Sequence, residues 1–191
     1  DKTRYMKWEE IADLDARGFE VGNHTRAHKN VNEQTPDELR ADIDHIDARC
    51  RAYGITHPTT FCYPGYRNGP AAVEVLRDRG FAFARRGTDP EFTYNVEGGR
   101  GPAYDPTYHD PLLVPTTGAA GPAYSLDDFK WSVDQATEGQ VCVLTYHGVP
   151  DLDHAWVHVD PDVFTTHMRY LQDNACKVIA LRDLECYVPL V

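Results

Sequence analysis

Apolar residues recur along the chain with two different spacings, and the switches between them set out the order of elements. Trp8, Ile11 and Leu14 fall at three-residue steps, one face of a helix from Lys7 to Arg17 that Gly18 closes. Phe19-Glu20-Val21 then reads as a short strand leading into Gly22-Asn23-His24. Leu39, Ile43, Ile46, Cys50 and Tyr53 form the apolar face of the next helix, which Gly54 ends. Its start is strongly marked: Thr35 is an N-cap, Pro36 takes the first helical position and Glu38 completes a capping box. Thr59 to Tyr63 is strand-like and stops at Pro64, Pro70 to Arg79 is helical and stops at Gly80, and Phe81 to Arg85 reads as a strand.

Residues 87 to 111 have a different texture, rich in Gly, Pro, Tyr and Asp and without periodicity. A loop of that length in a compact domain is usually functional or mobile. Leu112-Leu113-Val114 reads as a strand, and Ser125 caps a helix through Gln135 with Asp128 at the capping-box position. Gln140 to Tyr146 is the most apolar strand, followed by a helix from Pro161 to Gln172, a strand from Lys177 to Leu181 and a short terminal helix. Strands alternating with helices imply parallel βαβ units covered on both faces, so the fold class is α/β. Without repeat or linker, residues 1–191 are expected to form a single domain.

Bulk composition narrows the classes of partner. The 191 residues are 41% hydrophobic and 26% charged, a globular balance, with a formal net charge of −11. A surface of that sign repels nucleic acid and anionic membrane, and no apolar run approaches the ~20 residues of a membrane span. The five cysteines show no C-x-x-C spacing. Cys62 and Cys142 sit in apolar runs and are expected to be core thiols, with no disulfide framework and no indication of compartment.

In parallel α/β folds, active groups gather at the C-terminal ends of strands, and three groups of residues are expected there. His24-Thr25-Arg26-Ala27-His28 follows the first strand. If that segment forms a helical turn, its two imidazoles converge on one ion such as zinc; the alternative is two surface histidines on a turn. His147 ends the strand Val141 to Tyr146, with Gly148 allowing a sharp turn, and could serve as a general acid or base or bond a loop carbonyl. Phe61-Cys62-Tyr63-Pro64-Gly65-Tyr66 ends a strand at a proline, where backbone N–H groups are freed to stabilise an oxyanion.

Taken in order, GNHTRAH, FCYPGYRNG and VLTYHGV resemble the polysaccharide deacetylase (NodB-like, carbohydrate esterase family 4) superfamily. The resemblance implies a distorted (β/α) barrel that removes N-acetyl groups from amino sugars with one divalent metal. It implies His24 and His28 as metal ligands, zinc being the first expectation and cobalt or nickel the alternatives, and Thr25 as the residue orienting the turn. It implies the N–H of Gly65 as oxyanion donor and His147 as the acid that protonates the leaving amine. Tyr63, Pro64, Tyr66 and Arg67 would contact substrate. His147 is expected to face the two histidines across the mouth of the sheet.

The match also has a gap. The family's first motif, a strand ending in Asp-Asp-Gly, supplies the base and the third metal ligand, and it does not occur here. Asp127-Asp128 stands in the first turn of a helix, where acidic residues belong for capping and dipole reasons. About six parallel strands are legible against the eight of a complete barrel, so the fold is expected to be an incomplete barrel lacking its first strands, which would lie upstream of Asp1. Such a sheet exposes an edge that a homo-oligomer could cover. Cys62 stands where relatives often carry an arginine, with Arg67 close by, and Asp151, Asp153, His154 and His158 are the loop groups available as replacements.

The reading is a metal-dependent carbohydrate N-deacetylase acting on N-acetylated oligo- or polysaccharide, impaired by weak or absent metal occupancy. Its rivals are a non-catalytic relative that binds a glycan or protein, and a C–N hydrolase acting on a non-sugar amide.

Overall fold

A computed structural model of the chain describes residues 5–93 and 98–188. Five α-helices are present among these residues: α1 (Trp8–Ala16), α2 (Pro36–Ala52), α3 (Pro70–Asp78), α4 (Leu126–Asp134) and α5 (Pro161–Asp173). The strands are β1 (Thr60–Cys62), β2 (Phe83–Arg85), β3 (Gly118–Ala119) and β4 (Leu144–Thr145), paired in parallel as β1 with β2 and β3 with β4. This is an α/β architecture with two small parallel sheets among the described residues, fewer strands than the six expected.

The chain divides into two compact units. The first runs to Arg85 and adds Pro111–Leu113 and the segment from Ala180; the second takes Arg86–Asp110 and Val114–Ile179.

In the first unit, α2 forms where its capping box lies. Thr35 Oγ1 accepts the Glu38 N–H at 3.3 Å while the Glu38 carboxylate accepts the Thr35 N–H at 2.7 Å, satisfying two end donors reciprocally. The helix buries Leu39, Ile43 and Cys50, and α3 buries Ala72, Val73, Val75 and Leu76. All of these except Cys50 form one apolar core with Phe61, Tyr63 and Ala84. Asn23 pairs in parallel with Phe61 as an isolated bridge, so the register runs from Asn23 through β1 to β2. The expected strand at residues 19–21 does not form; the bridge falls two residues later, at Asn23. Helix α1 has no fully buried residue; its Trp8 ring stacks on Tyr53 at 5.9 Å.

In the second unit, Ser125 and Asp128 cap α4 as expected, and the Asp128 carboxylate also takes the Arg100 guanidinium at 2.7 Å. Asp160 caps α5 by accepting the Asp162 N–H at 2.8 Å. Ala120, Tyr124, Phe129, Val159 and Leu171 make the core. The expected strand over 140–146 shortens to β4, although Val141 exchanges backbone bonds with Tyr104 at 2.9 Å and Val143 accepts from Thr117 at 2.8 Å. Within the described part of the long 87–111 loop, Gly101 and Gly99 bond Thr117 and Ala119, each at 2.8 Å, so this stretch lines β3; residues 94–97 lie outside the described residues.

Two expected strands are corrected. Leu112-Leu113-Val114 is not a strand: Pro111–Leu113 is a 3-10 turn that Pro111 opens, and Leu112 is buried by packing rather than by pairing. Lys177 to Leu181 joins no named strand, and Val178 is left exposed, so that short apolar run does not mark a buried ladder. The terminal helix is a 3-10 segment, Leu181–Cys186. Cys62 and Cys142 are half-buried rather than fully buried, and all five cysteines are free.

Candidate functional site

The first unit brings three strand ends side by side. Asn23 donates its N–H to the Thr60 carbonyl and accepts from Cys62 N–H, both at 2.9 Å, which holds the chain in the sheet up to His24. Beyond it the backbone leaves the ladder sharply: Thr25 has φ 66° and His28 φ 52°. A β-branched residue in the left-handed region is strained and persists only where its surroundings hold it. Here the Thr25 N–H donates to Asn23 Oδ1 at 3.0 Å, and the His28 N–H donates to Thr25 Oγ1 at 3.2 Å. The segment is therefore not the helical turn expected from its spacing; left-handed residues, not helical periodicity, bring the two histidines together. Thr25 does orient the turn, through its hydroxyl.

The rings of His24 and His28 meet edge to face with centroids 4.8 Å apart. His24 Nδ1 lies 2.7 Å from the Cys62 carbonyl oxygen. A carbonyl can only accept, so Nδ1 carries the hydrogen and the lone pair of the neutral ring sits on Nε2. Burial lowers the His24 pKa from its ordinary value, the Cys62 carbonyl works the other way, and the Arg85 charge adds to the lowering. His24 is thus neutral at neutral pH, the form a metal ligand requires. An imidazole whose inner nitrogen is fixed by a carbonyl, beside a second imidazole, fits half of a divalent-metal ligand set. Among the described residues no group of three His, Cys, Asp or Glu side chains is arranged to hold an ion, so the third protein ligand is not part of the described site.

The second strand end is the turn after Cys62. Pro64–Tyr66 is a 3-10 turn with Gly65 at φ 58° and Tyr66 at φ 62°. A Cβ on Gly65 would come within 2.6 Å of Asn30 Oδ1, a side-chain end that can move, so it is the conformation that favours glycine. Gly65 is exposed, and its N–H has no hydrogen-bond partner among the described residues. That donor is available to a ligand. Tyr63 is different from expectation. It is 0% exposed and donates its hydroxyl to the Leu112 carbonyl at 2.9 Å, and Pro64 is buried as well. Both side chains are buried in the turn, and the Tyr63 hydroxyl ties it to Leu112. Tyr66 is half-buried and Arg67 exposed, so these two remain at the surface.

The third strand end supplies a residue that the sequence reading missed. Arg85 is the register partner of Cys62 in the parallel pair. Its guanidinium reaches the Cys62 sulfur at 2.5 Å and lies over the Tyr66 ring at 5.3 Å. Burial pushes the Cys62 thiol up, and the Arg85 charge opposes that shift. An arginine closing an apolar strand was the available signal, but only register places it beside Cys62 rather than Arg67.

The second unit holds the remaining candidates. His147 is exposed, two residues beyond β4. The Asp151 carboxylate accepts from the N–H groups of Asp153 at 3.1 Å and His154 at 2.9 Å, and meets His154 Nδ1 at 3.0 Å. His158 Nδ1 bonds the Asp151 carbonyl at 3.0 Å. These groups hold their own loop together. Tyr104 is buried in the core of this unit, whereas Tyr108 is exposed.

A histidine turn, a glycine turn and an arginine thus lie at neighbouring ends of parallel strands in an α/β unit. Residues 2–84, which contain the histidine turn and the glycine turn and stop one residue short of Arg85, match the family model described as Polysaccharide deacetylase. Among solved structures, the chain matches one from Mycobacterium smegmatis assigned as a polysaccharide deacetylase, with TM-score 0.59 and 14% identity over 90% of this chain. At that identity the likeness is one of fold, and the chain spans 61% of the length of that protein. A comparison with curated proteins gives no match. Over residues 2–84 the chain is therefore similar to the polysaccharide deacetylase family, and its fold is similar to that of the solved structure.

Proposed function

We propose that this chain is a carbohydrate N-deacetylase that hydrolyses N-acetyl groups of amino sugars with a divalent metal, zinc first and cobalt or nickel next, held by His24 and His28. The observation that carries the reading is the histidine turn: two imidazoles 4.8 Å apart, one neutral and fixed through Nδ1 by the Cys62 carbonyl. The polysaccharide deacetylase match over the same residues supports it. When bound, the metal would supply a Lewis acid and a water acidified towards ~7. The Gly65 N–H donates to the carbonyl oxygen as charge develops on it, a contribution of about 3–4 kcal/mol for a well-aimed donor. Tyr66 and Arg67 border the sugar, and His147 gives a proton to the leaving amine. We read residues 1–191 as one domain and the fold as an incomplete, distorted (β/α) barrel, which a homo-oligomer would complete along its open edge. Two imidazoles fall short of the three protein ligands common at catalytic zinc, so metal is held weakly and turnover is slow at best.

The test is acetate release from an N-acetylated chito-oligosaccharide with added zinc or cobalt, beside cobalt titration of the chain and of His24→Ala. Weak cobalt binding that His24→Ala abolishes, with little or no acetate, is expected. Cobalt binding that is indifferent to His24 overturns the ligand assignment. Robust metal-dependent turnover overturns the impairment. Acetate-free binding of the oligosaccharide would favour the glycan-binding rival, and release of acid from simple amides but not from sugars would favour the non-sugar hydrolase.

A further inference from the structure

We propose that Asn23, braced by Asp47 of α2, is the positioning residue of the histidine turn: it holds the backbone in the left-handed shape in which the two imidazoles meet. Asn23 is 0% exposed, and its side chain bonds at both ends. Oδ1 accepts the Thr25 N–H at 3.0 Å, while Nδ2 donates to the Ile43 carbonyl at 3.3 Å and to Asp47 Oδ1 at 3.1 Å. The chemistry of the partners determines which way the amide faces, because a carbonyl and a carboxylate need a donor and an N–H needs an acceptor. No other side chain of this size offers an acceptor atom and a separate donor atom with two hydrogens. Aspartate keeps the acceptor but loses the donors and sets a second carboxylate against Asp47.

The bonds act in series. Asn23 fixes Thr25 at positive φ, Thr25 then accepts the His28 N–H, and the Asn23 backbone pairs with Thr60 and Cys62, whose carbonyl takes His24 Nδ1. One buried amide thereby governs both imidazoles and ties them to the middle of α2. A side chain that orients a ligand through another group typically changes metal affinity by ~10–100-fold when lost.

The metal readout rests on the proposed role of His24 and His28; the positioning role does not, so the experiment reads both. Imidazole ¹⁵N NMR of the metal-free protein reports the His24 Nδ1–H tautomer, and cobalt titration reports affinity. The variants are Asn23→Ala, Asn23→Asp and the milder Asp47→Ala, with Ile43→Val as a core control of the same helix. Both Asn23 variants are expected to lose the fixed Nδ1–H signal and ~10-fold or more in cobalt affinity, Asp47→Ala to follow in the same direction, and Ile43→Val to change neither. A folded Asn23→Ala that keeps the His24 signal and stays within about twofold of the parent affinity overturns the proposal. If the Asn23 variants do not fold, Asp47→Ala decides by the same criteria. If the parent binds no cobalt, the ligand reading fails, and the tautomer signal alone decides the role of Asn23.

Discussion

His167 shows how a single buried side chain ties this molecule to pH. It is 1% exposed, stacks on Phe129 at 4.0 Å and bonds Tyr146 through Nδ1 at 2.8 Å, while its Nε2 is buried without a partner among the described residues. Protonation would leave a charged N–H unmet, and burial accordingly lowers its pKa from 6.5. The unfolded chain therefore binds a proton at higher pH than the folded one does. Stability is complete above the ordinary value and falls as pH drops through the lower folded value. The melting temperature should decline between pH 7 and 5, and His167→Gln should flatten that decline in calorimetry. Tyr63→Phe tests another buried group. Removing the hydroxyl takes away its bond to the Leu112 carbonyl, for an expected loss of about 0.5–1.5 kcal/mol in urea unfolding. At this scale the sequence showed residue types but not surroundings. The nearness of His24 to His28 and the turn at Gly65 were legible because both are local. Asn23, Arg85 and the buried state of Tyr63 were not, because each depends on a partner far along the chain.

Helices were far more legible than strands. The ends of α2 and α4 are written in four consecutive residues, Thr35 to Glu38 and Ser125 to Asp128, and reciprocal bonds form in both. Ser125→Ala should destabilise by about 1 kcal/mol, the usual worth of a cap. Asp128→Ala should cost more, since it also releases Arg100, and thermal melts of the two variants would rank them. The pair Asp127-Asp128, read as a helix start, acts as one through Asp128. Strands carry no such internal record. A run such as Leu112-Leu113-Val114 is apolar whether it pairs or merely packs, and Pro111 turned it into a 3-10 segment. The left-handed residues Thr25 and His28 escaped a helical reading of their spacing for a related reason: side-chain bonds from Asn23, not backbone periodicity, set their conformation.

For the whole molecule, the chain order and the division into units differ. Residues from Ala180 return to the first unit, where Leu184 is 1% exposed. Leu184→Ala should therefore cost about 2–5 kcal/mol, as at a core site, and a loss under ~0.5 kcal/mol in denaturant unfolding would show that segment to be dispensable. No helix among the described residues is long and apolar enough to cross a membrane, and the net charge of −11 opposes binding to nucleic acid. What the sequence by itself determined was the alternation of helices with parallel strands and the helix caps. Each is encoded within a few neighbouring positions by hydrogen-bonding capacity and apolar spacing. Only the tertiary structure decided the strand register that sets Arg85 beside Cys62, the buried amide that shapes the histidine turn and the return of Leu184 to the first unit. Those are contacts between distant segments, and no local pattern specifies which segment will be the partner.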